Sequence, residues 1–211
     1  MPLSFYALDN FVAQELSQLN ECRAAPIAPD FPDFQSWLSS FVLNWMLRIP
    51  LPKDKAALAF ALIRRAEAAI AEYEEARADL SALVAGKKDI SLYFRSLRKF
   101  ESAVSALYQA LDFGRKALGV KLFTQGDGSP YERLNLIYNR SKHADPEGLP
   151  AGQLHSVWIR NEGLAADGVS LAFDELRDLI GQIGWIADRL AKGELPAQPF
   201  APNRRLGRAP L

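Results

Sequence analysis

Apolar residues recur at intervals of three and four along most of the chain, the spacing that brings them onto one face of an α-helix. The pattern predicts helices over residues 4–23, 33–48, 54–85, 90–118, 131–145 and 174–192. The two longest are separated only by Gly86-Lys-Lys-Asp89, where the glycine ends one helix and the aspartate caps the next. So short a connection between two long helices predicts an antiparallel hairpin.

The spacing of the apolar residues changes in the last third of the chain. Two short β-rich runs, 154–160 and 164–172, flank the turn residues 161–163 and predict a small β-hairpin. The patterns together predict an all-α fold. It is an up-and-down bundle of long helices, with an N-terminal helical pair and a minor β-hairpin at about 154–172.

The pattern also predicts how the chain is divided. Residues 1–193 should form a single helical domain, because a chain of 211 residues fits one domain with appendages. The proline-rich tail 194–211 is too poor in apolar pattern to fold and should be disordered. Its Arg204, Arg205 and Arg208 leave open a contact with an anionic partner.

Two predicted helices differ in how their polar positions are distributed. The helix at 33–48 is apolar across a wide arc, which predicts burial on more than one side or a place in an interface. Burial in the core is favoured over an exposed groove for a partner. The helix at 54–85 carries mixed acids and bases, which are expected to form a solvated face rather than a nucleic-acid patch.

Composition narrows the classes of function. Lys plus Arg equals Asp plus Glu at 25 each, so only a local patch can attract nucleic acid. Cys22 is the single cysteine and there are two histidines, which excludes a disulfide framework and disfavours a zinc site; no cofactor is predicted. No apolar run approaches the roughly 20 residues of a membrane span, and the start lacks a signal peptide. We therefore expect a cytoplasmic protein without membrane contact.

The segment 131–145 concentrates the candidate chemistry. On a helix, Asn139 and His143 are four residues apart and can meet, Glu132 shares their side, and Arg133 and Arg140 lie along one flank. A histidine acts as a general acid or base near neutral pH, and arginines bind phosphate, so the group suits phosphodiester cleavage or phosphate binding. The alternative is that these are solvated side chains at a helix C-terminus. The start and stop signals of this helix are Ser129-Pro130 and Asp145-Pro146.

A second candidate residue is Glu101, which falls on the apolar stripe of the predicted helix at 90–118. A buried carboxylate needs a partner, because an unpaired buried charge is costly. The partners expected from the sequence are Lys142, Asn135, Arg140 and the Tyr138 hydroxyl. The alternative is a glutamate at the rim of the stripe that reaches water.

The helical hairpin, the acidic residue within Lys99-Phe-Glu-Ser-Ala-Val-Ser-Ala-Leu-Tyr108 and the motif Tyr138-Asn-Arg-Ser-Lys-His143 together resemble the HEPN superfamily of helical-bundle proteins. The resemblance covers roughly residues 55–190. It implies a mostly α-helical fold, frequent homodimers, and either a metal-independent ribonuclease of toxin–antitoxin or phage-defence systems or an inactive domain that binds RNA or assembles with proteins.

Only some of the site residues of the HEPN superfamily have counterparts in this chain. Active members have an arginine separated from the histidine by four to six intervening residues, and a polar residue directly follows the arginine. The histidine corresponds to His143 and the polar residue to Asn139, but the arginine positions hold Leu136, Ile137 and Tyr138.

The leading hypothesis is therefore a non-catalytic, HEPN-like module that binds RNA or a partner protein, as a homodimer. The alternative is a metal-independent endoribonuclease in which His143 is the acid or base, assisted by Asn139. In it, Arg140 or Arg133 holds the phosphate and Glu101 orients one of these groups. A purely structural role is the third hypothesis.

Overall fold

The computed structural model describes residues 5–47, 51–87, 89–118, 121–143, 149 and 154–194, and the structural statements below concern these residues. In this part of the chain the helices are α1 (Phe5–Leu8), α2 (Trp37–Leu47), α3 (Lys53–Ala82), α4 (Ile90–Leu118), α5 (Pro130–Lys142) and α6 (Phe173–Ala191), and the strands are β1 (Val157–Ile159), β2 (Gly163–Ala166) and β3 (Val169–Ala172). The fold is mostly helical with one small sheet, as the sequence predicts.

The two long helices α3 and α4 run antiparallel, which confirms the predicted hairpin. Ser96 on α4 donates its hydroxyl proton to the Ala76 carbonyl of α3 over 2.8 Å. Asp79 on α3, only 8% exposed, binds Arg95 and Lys99 of α4. The hydrogen bond from Arg95 lowers the pKa of Asp79. Polar contacts thus fix the register of two helices that otherwise pack through apolar side chains.

The connection between α3 and α4 has the predicted chemistry. Gly86 has a positive φ of 102°, which glycine adopts without a steric penalty. The Asp89 side chain accepts from the backbone N–H of Ser91 over 2.9 Å and so caps α4. At its other end, α3 begins at Lys53, one residue before the predicted start, and Asp54 lies inside the first turn.

The N-terminal segment departs from the prediction. The helix predicted over 4–23 is wrong, since the described part contains only α1 and a 3-10 turn, Leu16–Gln18. Asn161 in the sheet region binds the segment instead. Its side-chain oxygen accepts from the N–H groups of Asn20 and Glu21, both over 3.1 Å, and its carbonyl accepts from Arg23 over 3.3 Å. Tertiary hydrogen bonds therefore replace the helical ones, and the predicted N-terminal helical pair is reduced to α2.

Carboxylates of α3 bind the next segments. Glu74 accepts from the N–H groups of Ile27 and Ala28 over 2.5 and 2.9 Å, and Glu67 accepts from the N–H of Leu38 near the start of α2 over 2.8 Å. These acids were predicted to lie on a solvated face. They instead satisfy backbone donors of the segment that crosses α3, which removes the cost of burying those donors.

The helix α2 buries one face only. Trp37 and Phe41 are buried in the core, and Asn44 donates from its side-chain amide to the Ala191 carbonyl at the end of α6 over 2.6 Å. The predicted burial on more than one side is wrong, because the other face is exposed. The exposed apolar residues of this helix are Val42, Leu43, Trp45, Met46 and Leu47.

The predicted hairpin at 154–172 is a three-stranded antiparallel sheet with the order β1-β2-β3. Trp158 pairs with Ala165 in the first ladder, and Leu164 pairs with Leu171 in the second. The additional turn lies at Asp167-Gly168, where the glycine has a φ of 71°. An Asp-Gly pair is a strong hairpin signal, and it divides the second predicted run into two strands.

The last helix, α6, contacts α2, α3, α4, α5 and the sheet. It matches the helix predicted at 174–192 within one residue at each end, and Gly193 with a φ of 81° follows it. Its Phe173 ring packs against Phe100 of α4 with centroids 4.9 Å apart. Among the described residues, none of the helices combines the length and the apolar character that crossing a bilayer requires. The predicted disordered tail lies outside the described residues apart from Glu194, and the predicted Asp145-Pro146 stop also lies outside them.

Candidate functional site

The start of α5 is built by the predicted cap together with a buried carboxylate. Ser129 precedes Pro130, and its hydroxyl oxygen accepts from the N–H of Glu132 over 3.2 Å. The Glu132 side chain is 7% exposed and accepts from the N–H groups of Gly126 and Gly128, the latter over 2.7 Å. Glu132 therefore binds the preceding loop and does not share a solvated face with Asn139 and His143.

The two predicted arginines are placed differently from each other. Arg133 forms an ion pair with Glu175 of α6 and donates to the Gly128 carbonyl, so its guanidinium is already bound. The side chain of Arg140 has no hydrogen bond or ion pair to another described residue, and its carbonyl accepts from the Ser156 hydroxyl over 2.7 Å. Neither arginine lines the cavities described below.

The structure places His143 at the C-terminal end of α5 with an exposed side chain. Its backbone N–H donates to the Asn139 carbonyl over 3.1 Å, whereas the Asn139 side chain donates to Asn135 over 3.2 Å. Within the described residues, no side-chain hydrogen bond or ion pair joins His143 to Asn139, Arg140 or Glu101. The structure does not bring these four predicted residues together.

The partner of Glu101 is His155, which precedes β1. The His155 Nε2 atom lies 2.8 Å from Glu101 Oε1, and because a carboxylate only accepts, the ring nitrogen donates. The two side chains are 38% and 21% exposed. The hydrogen bond to Glu101, with the negative charge of that carboxylate, raises the pKa of His155 against the opposing effect of burial.

None of the predicted partners of Glu101 takes this position. The Tyr138 ring stacks on Tyr108 with centroids 4.5 Å apart, and the Lys142 ammonium lies 5.8 Å from the Tyr138 ring centroid. The sequence did contain a signal for His155. A carboxylate on an apolar stripe needs a donor, and the chain has only two histidines. The long-range contact that selects His155 is not visible in the sequence.

Two cavities share Glu101 and Arg98 in their linings, and His155 lines the first of them. We call the first the apolar cavity, which has a volume of about 340 Å³ and is lined by Val12, Phe94, Leu97, Arg98, Glu101, Leu154 and His155. We call the second the polar groove, which has a volume of about 570 Å³ and lies between α3, α4 and α5. Its lining includes Arg65, Glu72, Arg98, Glu101, Ser102, Ser105, Tyr138, Ser141 and Lys142. Arg98 and Glu101 line both.

The helical period explains why the two cavities share lining residues. Phe94, Arg98, Glu101 and Ser105 are spaced by four, three and four residues, so they form one row on α4. Along the helix, the side chains of this row change from apolar at Phe94 to polar at Arg98, Glu101 and Ser105. The same face of α4 therefore forms one wall of both cavities.

The cations of the polar groove are not bound by carboxylates. Arg65, Arg98 and Lys142 have no ion pair with a described residue, whereas most other described arginines and lysines do. The Arg65 Nε atom is buried and has no hydrogen-bond partner among the described residues. The groove thus presents positive groups next to the hydroxyl groups of three serines.

The chemistry available at this site is acid–base and anion binding. The His155 imidazole, held by Glu101, can exchange protons near neutral pH, and the groove cations can bind phosphate. No group of three histidine, cysteine or acidic side chains suited to a metal ion occurs among the residues that the structure describes.

Comparison with protein-family models, with curated proteins and with solved structures finds no match for this chain. No residue role is therefore transferred from a relative.

Proposed function

We propose that this protein is an HEPN-like, up-and-down helical module that binds RNA through the polar groove. The observation that carries the proposal is the set of three cations, Arg65, Arg98 and Lys142, which line one groove without carboxylate partners among the described residues. RNA is favoured over a protein partner because its phosphates are anionic at every nucleotide and the groove offers cations and hydroxyl donors together.

An aromatic side chain further supports RNA as the ligand. The groove also contains Glu72 and Glu101, so its three cations exceed its carboxylates by one and its positive charge is local. Glu101 is hydrogen-bonded to His155. Tyr138, stacked on Tyr108 and covered by Lys142, presents an aromatic edge at the wall, and aromatic side chains commonly contact unpaired bases.

The test is binding of a labelled single-stranded RNA measured by fluorescence anisotropy at several salt concentrations. Three phosphate contacts on a single strand predict a log–log salt slope of about −2. Arg65→Ala should weaken binding by roughly tenfold and reduce the steepness of the slope by about 0.7, because one phosphate contact is lost.

The matched control is Arg64→Ala. Arg64 is the neighbouring residue on α3, exposed and outside the groove lining, so it has the same charge and helix context. Its removal should change the affinity by less than twofold. Equal losses for the two variants, or no RNA binding at 50 mM salt, would overturn the proposal.

A second candidate function is metal-independent RNA cleavage, favoured by one observation, the 2.8 Å contact of Glu101 with His155 beside Arg98. In this reaction a base removes the proton of a ribose 2′-hydroxyl, the 2′-oxygen attacks the adjacent phosphorus, and the bond to the 5′-oxygen breaks as that oxygen takes a proton. His155, oriented by Glu101, has the proton-transfer chemistry for these steps, and Arg98 neutralises the phosphate.

The test compares cleavage of labelled RNA in EDTA by the wild type, His155→Ala and His143→Ala. Loss of cleavage in His155→Ala alone supports this assignment, and loss in His143→Ala alone supports the residue predicted from the sequence. Binding without cleavage by any of the three leaves the protein a non-catalytic module.

The homodimer and the cytoplasmic location stay predictions. Light scattering after gel filtration would measure the molar mass and so test the homodimer.

A further inference from the structure

The apolar cavity opens beside the polar groove and differs from it in chemistry. Val12, Phe94, Leu97 and Leu154 provide apolar walls, and the polar groups Arg98, Glu101 and His155 lie together on its border. A volume of about 340 Å³ is at the lower end of the range for small-molecule sites, roughly 300–1,000 Å³. The cavity therefore suits one small, flat group with apolar faces and polar edges, attached to an anionic group.

We propose that the apolar cavity is a guanine-binding subsite for the RNA held in the polar groove. The base stacks on Phe94, its N1–H and N2–H groups donate to Glu101, and the adjoining phosphate lies at Arg98. This inference rests on the proposed RNA-binding function, and it adds the base that the protein prefers.

The stacking surface is Phe94. Its ring is 48% exposed, and Tyr93 holds it in an edge-to-face contact with centroids 5.6 Å apart and an interplanar angle of 77°. An exposed aromatic ring beside cationic side chains is the arrangement on which unpaired bases stack. Leu97 is buried below it and Leu154 is exposed, so the cavity has an apolar floor and an open side.

The choice of guanine over the other bases follows from the hydrogen-bond acceptors of the Glu101 carboxylate. Each carboxylate oxygen can accept two hydrogen bonds, so Oε1 keeps one acceptor position beside its bond from His155. Oε2 accepts no hydrogen bond from a described residue. A carboxylate only accepts, and guanine carries two adjacent N–H donors on its Watson–Crick edge. Adenine, cytosine and uracil each place an acceptor beside their donor, and this acceptor would face the carboxylate oxygen unfavourably.

The experiment uses four oligouridine octamers that differ at one central position, which holds guanine, adenine, cytosine or uracil. Anisotropy titrations with the chain of residues 1–211 should give at least tenfold tighter binding of the guanine octamer than of the other three. Phe94→Ala should remove this preference, while Phe94→Tyr, which keeps the ring, should retain it. Glu101→Gln should also remove it, because an amide offers one acceptor in place of two.

The matched control is Phe60→Ala on α3, an aromatic residue that is 38% exposed and lies outside both cavities. It should change no affinity by more than twofold. Equal affinity for all four octamers, with binding still weakened by Arg65→Ala, overturns the guanine subsite and leaves the proposed RNA binding intact. Absence of binding to every octamer overturns both.

Discussion

The loop before α5 should depend on a single buried carboxylate. Glu132 is 7% exposed and accepts two backbone N–H groups, from Gly126 and Gly128, whose φ values of 83° and 64° are both in the left-handed region. Replacing it by alanine removes both acceptors at once. The same loop leads through Ser129 into α5, which carries Tyr138 and other side chains of the polar groove.

The expected magnitude follows from those two bonds. Hydrogen bonds to a charged group contribute roughly 1.5–3 kcal/mol each. Because the loop is exposed and its freed N–H groups reach water, the lower value applies, and Glu132→Ala should reduce the free energy of unfolding by about 3 kcal/mol. This corresponds to a decrease in Tm of roughly 6–12 °C for a chain of this size. Glu132→Gln keeps one acceptor and should lose about half as much.

The assay is urea unfolding followed by circular dichroism, with the midpoint and the m-value fitted separately. A lower midpoint at unchanged m identifies a loss of native stability. Glu75→Ala is the control, since that glutamate is 63% exposed in a surface ion pair with Lys99, which keeps Asp79 as a partner. Its cost should be below about 1 kcal/mol. A cost for Glu132→Ala no greater than for this control refutes the assigned role.

Three further predictions concern the pH response and the packing. The raised pKa of His155 means that its pair with Glu101 stabilises the fold below about pH 6.5 and that this contribution is lost as the pH rises through the folded pKa. Glu101→Gln should therefore lower stability more at pH 5.5 than at pH 8.5 and lower the His155 pKa measured by NMR; equal effects at both pH values contradict this. The pKa of Asp79 is lowered, so its pair with Arg95 stabilises the fold above about pH 3.8 and this contribution is lost at lower pH. The difference in stability between the wild type and Asp79→Asn, which breaks the pair, should therefore shrink as the pH falls below 3.8. Gly163→Ala should prevent correct pairing of β2 with β3, because its Cβ would overlap a backbone carbonyl oxygen of β3, and thermal unfolding should show a loss of more than about 2 kcal/mol.

Part of the candidate site could be predicted from the sequence. Glu101 was identified because it interrupts an apolar stripe, and its requirement for a partner is confirmed by His155. The identity of the partner was missed, because residues 54 positions apart are brought together only by the packing of β1 against the helices. For the same reason the polar cluster predicted on α5 did not account for Glu132 and Arg133, whose partners lie in the loop and on α6.

The sequence by itself determined the elements whose signals are local. The periods of α3, α4 and α6, the Ser129 cap and the glycines at 86 and 193 specify helices and their ends through contacts within a few residues. Tertiary structure decided the rest. Residues 9–23 have a helical period, but their backbone binds Asn161 instead. The helix α2 leaves most of its apolar arc exposed, because only one face meets α6 and α3. A periodic pattern predicts which residues can be buried on one face of an element. Which neighbouring elements cover that face depends on the packing of the whole chain.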